Sequence, residues 1–398
     1  MKIFEIATLV RDKAPVSAIK AEDYVSTDNM RPNFGGVDAS SFLPPSGNIT
    51  IYRKGDILLS NIRPYFRKTW LATHGGGCNA DVLCIRANQD KCLPKYLYYL
   101  LTTDNFVTDY LKSCKGAKMP RGDINRLLNY ELQLPDLPTQ LRIAGVLGSL
   151  DEKIELNRHK VAELEVLLKT VYDYWFVQFD FPDANGRPYR SSGGKMAWNE
   201  ELKREVPEGW GVGNLYSIAR FENGLACQRF RPKDCEASLP VVKIREMHEG
   251  INTDTEKVSA AIPSKHRIAD GDLLFSWSAS LEAMIWCGGE AGLNQHIFKV
   301  LPNDGLCVEY VFEQLSACIA NFARMAEARK TTMGHITSDH ISQSRVILPD
   351  KTVLGAYATL VAPMFDECIV LRKEIHSLVE VRDSLLPLLM NGQVEVAG

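Results

Sequence analysis

The feature that most limits how this chain can fold is a stripe of apolar residues in its middle. From Thr139 onward they fall alternately four and three apart: Ile143, Leu147, Leu150 and Ile154, then Val161, Leu164, Leu168, Val171 and Trp175. Asn157 is a polar step in that stripe. This period, held over several heptads, describes a coiled-coil seam rather than an ordinary amphipathic helix. At 1.5 Å per residue the helix makes a rod of roughly 50–60 Å. No partner helix lies nearby in sequence, so the partner comes from elsewhere in this chain or from another chain.

Upstream, residues 1–137 read as a globular domain of mixed strand and helix. Gly55-Asp56 followed by Ile57-Leu58-Leu59-Ser60 predicts a turn and a buried strand, and Asn79 to Ile85 predicts another. Pro94 opens a helix carrying Leu97, Leu100 and Leu101; a Gly/Lys/Pro loop follows, SCKGAKMPRGD. Asn129 to Pro135 predicts a strand, and Thr139 lies where the long helix, 138–179, takes its N-cap. Residues 180–206 are a connector rich in Gly, Pro, Ser and charge, and residues 207–350 form a second globular domain.

The second domain repeats the first. Gly271 to Ser276 matches Gly55 to Ser60, Asn294 to Val300 matches Asn79 to Ile85, and Tyr310-Val311 matches Tyr96-Leu97. Met333 answers Met119, and Leu348-Pro349-Asp350 answers Leu134-Pro135-Asp136, all at an offset of about 215 residues. A second four-three stripe follows over 351–391: Tyr357, Val361, Met364, Cys368, Leu371, Ile375, Leu378, Leu385 and Leu389, with Arg382 as its polar step. The chain is therefore a tandem duplication of a globular domain followed by a long helix. The fold class expected is α+β: two repeated α/β domains separated by two long antiparallel coiled-coil helices, in a pseudo-twofold arrangement. The competing arrangement has each helix paired with a different chain, since pattern alone does not choose partners. Asn157 and Arg382 either fix the register of the seam or sit at its exposed edge.

At 398 residues the chain exceeds a single hydrophobic core. Its 45% hydrophobic and 24% charged residues are those of a soluble globular protein. No apolar run reads as long enough to span a membrane, and the charged start MKIFEIATLVRDKAP does not read as a signal peptide. Ten scattered cysteines without a C-x-x-C pair predict reduced, structural thiols in a cytoplasmic protein, and no metal site. A net charge of −3 argues against a protein that coats DNA, though not against one whose basic residues are local.

Catalytic signatures are missing. The single Pro-Pro, at Pro44-Pro45, lacks the amide and the aromatic of a base-gripping methyltransferase loop, and no phosphate-binding loop, zinc-protease motif or nucleophile elbow appears. What the chain does carry is Arg63, Tyr65, Arg67 and Lys68 in a loop that interleaves cations with rings. Cations for phosphates or guanine edges and rings for packing are the composition of a nucleic-acid-reading loop, although a solvated basic loop over core aromatics has the same composition. Lys115, Lys118 and Arg121 add a second basic loop in the same domain. In the second domain Lys243, Arg245, Arg329, Lys330, Thr332 and His335 are the corresponding candidates, while the stretch matching Arg63, from Ser278 to Leu281, has no cation. The seam candidates are Leu147, Ile154, Asn157, Leu164, Leu168, Trp175, Met364, Leu371, Leu378 and Leu385.

The middle of the chain also carries a resemblance. WFVQFDFP from Trp175, GRPYRSSGGKM from Gly186, WNEEL from Trp198 and VPEGW from Val206, in this order, resemble the specificity subunits of Type I restriction-modification systems. GDILLSNIRPYFRK from Gly55 and Met119-Pro120-Arg121 resemble family patterns as well. The resemblance implies two target-recognition domains, each reading one half of a split sequence in double-stranded DNA, with the helices as a ruler between them. It implies two docked methyltransferase subunits that hold S-adenosylmethionine, a separate restriction/translocase subunit, and no cofactor or catalysis on this chain. Two departures stand out: the first domain lacks a counterpart of Pro207 to Trp210, and the second helix has no Gln matching Gln140. A coiled-coil adaptor without a DNA role, or a self-contained DNA-modifying enzyme with dispersed catalytic residues, are the competing readings.

Overall fold

The computed structural model describes residues 1–116, 118–278, 280–328 and 338–396, without the side chains of 323–328 and 338. The chain divides into two units, Met1–Ile154 with Leu378–Gly398, and Glu155–Ser377.

The first unit opens with α1 (Ile3–Ile6) and eight strands: β1 (Ala7–Leu9), β2 (Lys13–Pro15), β3 (Tyr24–Val25), β4 (Asn48–Tyr52), β5 (Ile57–Ser60), β6 (Thr69–Leu71), β7 (Gly76–Cys78) and β8 (Val82–Ala87). They form two four-stranded sheets, ordered β1-β8-β5-β6 and β2-β4-β7-β3. Every residue of β5 is buried, which explains its unbroken apolar run: a strand covered on both faces has no polar side to alternate. Leu97, Leu100 and Leu101 of α2 (Pro94–Thr102) are buried, and Pro94 occupies the first helical turn, where its missing N–H costs nothing. Thr103 caps the next helix, α3 (Asp104–Lys112), its side chain accepting from Phe106 N. A short helix α4 (Ile124–Leu128) precedes the long one.

Two local expectations are corrected here. Asn129–Pro135 forms no strand; it makes only an isolated antiparallel bridge, Lys2 with Glu131. The duplicate of this segment does form a strand in the second unit because a neighbouring strand follows the Pro207–Trp210 turn there. In the first unit the segment is bonded to Met1 and Ile3 instead, through Ile3 N to Tyr130 O at 3.2 Å and Leu132 N to Met1 O at 2.8 Å. The long helix α5 (Leu137–Tyr172) also starts earlier than expected. Its capping side chain belongs to Asp136, whose carboxylate accepts from Thr139 N at 3.0 Å. One turn on, the fully buried Gln140 accepts from Leu93 N and donates to Lys91 O and Pro135 O, all at 2.9 Å.

In the second unit α5 runs into a π-type turn, Asp173–Val177. Phe179 then takes a left-handed φ of 66° and ends the helix. The segment expected as a connector is folded: an antiparallel hairpin of β9 (Met196–Asn199) and β10 (Arg204–Pro207) follows. Phe181 stacks between Tyr189 (4.7 Å) and Trp210 (5.1 Å). Further strands are β11 (Gly211–Gly213), β12 (Ala219–Asn223), β13 (Ser238–Val242), β14 (Lys257–Ser259), β15 (Arg267–Ile268), β16 (Leu273–Ser276), β17 (Glu282–Ile285), β18 (Ala291–Leu293), β19 (Ile297–Pro302) and β20 (Val346–Leu348). The helices are α6 (Leu215–Ile218), α7 (Ile244–Glu249), α8 (Val308–Ala328), α9 (Ser338–Gln343) and α10 (Lys351–Met390).

The duplication read from the sequence extends to individual hydrogen bonds. The sheet β12-β19-β16-β17 repeats β1-β8-β5-β6. Gly55 N bonds to Ala72 O, and Gly271 N to Trp286 O, both at 2.8 Å. Asn79 N reaches Val25 O at 3.0 Å, and Asn294 N reaches Val242 O at 3.1 Å. The smaller sheets share three strands, a parallel pair flanked by an antiparallel one, β3-β7-β4 and β13-β18-β15. Their fourth strands are added on opposite edges, β2 beside β4 and β14 beside β13. Met333, matched to Met119 in sequence, lies outside the described residues.

Of the seam residues, Leu147, Ile154, Asn157, Leu168, Trp175 and Leu371 are buried, and Leu164, Met364, Leu378 and Leu385 are half-buried. Asn157 is not at an exposed edge: it is 0% exposed, and its Nδ2 donates to Glu374 Oε2 at 2.8 Å. Arg382 pairs with Asp151 at 3.1 Å, and Arg372 with Glu165. Leu354 stands where α10 lacks a counterpart of Gln140, and it is buried in an apolar cluster with Tyr357 and Val361. One helix among the described residues, α10, is long and apolar enough to cross a membrane by length and composition, contrary to the sequence reading. Tyr357, Val361, Cys368 and Leu371 of this helix are buried, whereas Leu360 and Val370 are exposed.

Candidate nucleic-acid interface

The two basic loops of the first unit are one structure. Ser60 ends β5, and its N–H bonds to Lys68 O at 2.9 Å, closing the loop 61–67. Within it Arg63 (φ 47°) and Arg67 (φ 52°) flank the tight turn Pro64–Phe66 in left-handed backbone conformations. Opposite them Asn33 (φ 53°) and Phe34 (φ 59°) do the same, with Asn33 N bonded to Phe66 O at 2.9 Å and Phe34 N to Arg67 O at 3.0 Å. Four of the seven positive-φ non-glycine residues among those described therefore meet at one place. Each such conformation costs on the order of 1–2 kcal/mol and persists only where surrounding bonds impose it.

The second basic loop is tied to the first through backbone. Arg63 N bonds to Pro120 O at 2.8 Å, and Gly122 N to Asn61 O at 3.2 Å. Lys115 and Arg121 exchange two backbone bonds of 3.0 Å across the base of their own loop. Gly122 is required there, since a Cβ would sit 2.1 Å from the Tyr110 ring. Tyr110 in turn donates from its hydroxyl to Asn61 Oδ1 at 2.5 Å. The connector between β7 and β8 completes the hub: Asn61 N bonds to Asp81 O, and Arg121 Nη2 bonds to Asp81 Oδ1, both at 2.8 Å.

The chemistry displayed is cationic with exposed rings. Arg63, Lys115, Lys118 and Arg121 are exposed. Tyr65 and Phe66 are 49% and 41% exposed and lie 4.7 Å apart. Lys68 is half-buried, donating to Thr27 O at 2.6 Å, and Arg67 pairs with Asp104 at 2.7 Å. Flat rings beside guanidinium groups, held on a strained and cross-bonded backbone, suit contact with sugars, base edges and phosphates. Among the described residues no group of acidic, His and Cys side chains is arranged to hold a metal ion.

Residues 3–166 match the profile of the Type I restriction modification DNA specificity domain. The Type I restriction enzyme MjaIX specificity subunit of Methanocaldococcus jannaschii is 26% identical over 370 residues, covering 88% of this chain and 80% of that one. The HindI specificity subunit of Haemophilus influenzae is 23% identical over 402 residues, covering 86% and 87%. The match to the family profile thus covers about two fifths of the chain, and the relatives aligned along most of its length are Type I specificity subunits. Among solved structures, the Type I S subunit from M. genitalium has the same fold, with a TM-score of 0.60 at 15% identity over 98% of this chain and 95% of that one.

In this chain the candidates of the second unit are distributed differently. Lys243 follows β13 and pairs with Glu256, and Arg245 pairs with the buried Glu246 at 2.6 Å. Arg329, Lys330, Thr332 and His335 lie outside the described residues. The repeated frame brings up residues that composition did not flag: Asn61, Asp81 and Tyr110 in the first unit, Trp277, Gln295 and His296 in the second. Single polar residues in short connectors carry no compositional signal. The one sequence cue was the duplication itself, which aligns Asn79 to Asp81 with Asn294 to His296.

Proposed function

We propose that this chain is the DNA sequence-specificity subunit of a Type I restriction-modification complex and does no chemistry itself. The observation that carries the reading is a hydrogen-bonded frame that occurs twice and bears different side chains at the same connectors. A cationic, ring-bearing loop at Arg63 to Lys68 in the first unit has as its second-unit counterpart a stretch from Ser278 to Leu281 without a cation. A repeated scaffold with divergent loops suits a protein that reads two different half-sites.

The finer assignments belong to the same proposal. Residues 1–137 and 207–350 are the two target-recognition domains. The helices at 138–179 and 351–391 form an antiparallel coiled coil of pseudo-twofold character that sets the unread gap and docks two methyltransferase subunits. The cross-helix pairs support this, since Asp151 meets Arg382 while Glu165 meets Arg372. Apolar residues left exposed along the helices, including Leu156, Val166 and Leu167 on α5 and Leu360 and Val370 on α10, offer the partners something to cover. Arg63, Tyr65, Lys115, Lys118 and Arg121 contact DNA, S-adenosylmethionine resides on the methyltransferase, a restriction/translocase subunit joins the full complex, and the assembly works in the cytoplasm.

The test is to co-express the full chain with its methyltransferase and sequence methylated adenines in cells with and without it. The expected result is one split motif whose halves differ. A palindromic motif, or methyl transfer by this chain alone, contradicts the proposal.

A further inference from the structure

We infer that Gln295 and His296 are specificity-determining residues of the second half-site, reading base edges where the first unit presents its Asp81–Arg121 pair. This rests on the DNA-reading role proposed above. The equivalence is one of bonds. Asp81 N donates to Asn79 Oδ1 at 3.2 Å, and His296 N donates to Asn294 Oδ1 at 3.2 Å. Asn61 N bonds to Asp81 O, and Trp277 N bonds to His296 O at 3.4 Å. Gln295 and His296 therefore occupy the connector positions of Ala80 and Asp81, around which the basic loops of the first unit gather.

The chemistry at that place has been exchanged. In the first unit a carboxylate, which repels phosphate, is covered by a guanidinium. In the second unit an amide and an imidazole stand there in place of the carboxylate. The described cations following β13 are engaged with acids, Lys243 with Glu256 and Arg245 with Glu246, and the adjoining stretch from Ser278 is uncharged. Readout by an amide and an imidazole fits this surface. Gln295 is also preorganised. Its N–H bonds to Leu225 O at 2.9 Å, Leu225 N bonds to Leu293 O at 2.8 Å, and Gly224 packs so closely that a Cβ would lie 2.1 Å from Asn294 O. His296 is exposed, with its ring 5.8 Å from that of Trp277 and its Nε2 3.4 Å from Gln295 Nε2. A glutamine amide pairs in bidentate fashion with adenine, whereas a carboxylate accepts from the cytosine amine.

The experiment uses the full chain assembled with its methyltransferase and a library of duplexes randomised over the methylated motif. Gln295→Ala and His296→Ala are expected to lose roughly ten- to hundredfold of base discrimination at one or two positions of one half, with the other half unchanged. Gln295→Glu keeps the shape and is expected to move the preferred base at its position toward cytosine. Unchanged preferences in all three variants, or equal weakening on every sequence, overturn the inference while the parent's split motif stands. A parent complex with no sequence preference overturns the proposed function and this inference with it.

Discussion

At the scale of single residues, the site in the first unit works by restraint. Arg121 is long, flexible and exposed, yet its backbone is bonded to Lys115 and its guanidinium to Asp81. Arg121→Ala is expected to weaken one half-site and leave the other intact. A loss confined to certain base positions, roughly 1–3 kcal/mol, marks a base contact; uniform weakening with a salt slope flatter by about one marks a phosphate contact. Quantitative binding at several salt concentrations separates them, and no change removes this loop from the DNA-facing surface. Elsewhere, Glu313 on α8 has a carboxyl that burial pushes up to about 7 from its ordinary 4.5, with Lys169 opposing and nearby Asp173 adding to the rise. The folded form therefore holds the proton more tightly than the unfolded one. The stability this one group contributes is fully present below about 4.5 and is lost as pH rises through about 7. Glu313→Gln should flatten that slope and raise the melting temperature at pH 8, as thermal scans across pH would show.

At the scale of elements, the two long helices are anchored by different means at equivalent places. Gln140 satisfies Leu93 N, Lys91 O and Pro135 O from inside α5. Gln140→Ala leaves these groups without their partner and should cost about 2–3 kcal/mol. Hydrogen exchange at Leu93 and the following turn of α2 should accelerate, with no change in residues 207–350. Leu354, the matching residue of α10, needs no such bonds because it is buried among apolar neighbours. The departure noted in the sequence is thus a change of anchoring chemistry with the helix retained in both copies.

At the scale of the whole molecule, the ruler assigned to the helices has a direct test. The end of α5 is a poor place to lengthen it, since Phe176, Phe179 and Phe181 are all buried in one aromatic cluster. A seven-residue insertion after Lys160, matched by one after Arg372, preserves the seam period. It adds about 10 Å to each helix, the rise of about three base pairs. The methylated motif should then keep both half-sites and gain a longer gap. Half-sites that change identity over a fixed gap would mean that the helices do not measure it.

The sequence alone carried the duplication, the two long helices and the basic loops, because each is written in periodicity or composition, which survive without coordinates. Helix starts were less legible: Asp136 and Thr139 are both capping residue types, and only backbone geometry selects between them. The segment Asn129–Pro135 makes a single bridge where its duplicate makes a strand, and pairing is a property of two segments. The fold of residues 180–206 was hidden by its Gly, Pro and charge content, which tertiary contacts among Phe181, Tyr189 and Trp210 override. The union of Arg63, Asp81 and Arg121 lay beyond any local pattern, because backbone bonds between distant loops create it. Periodicity specifies which faces are buried; what meets at a site is decided when the sheets close.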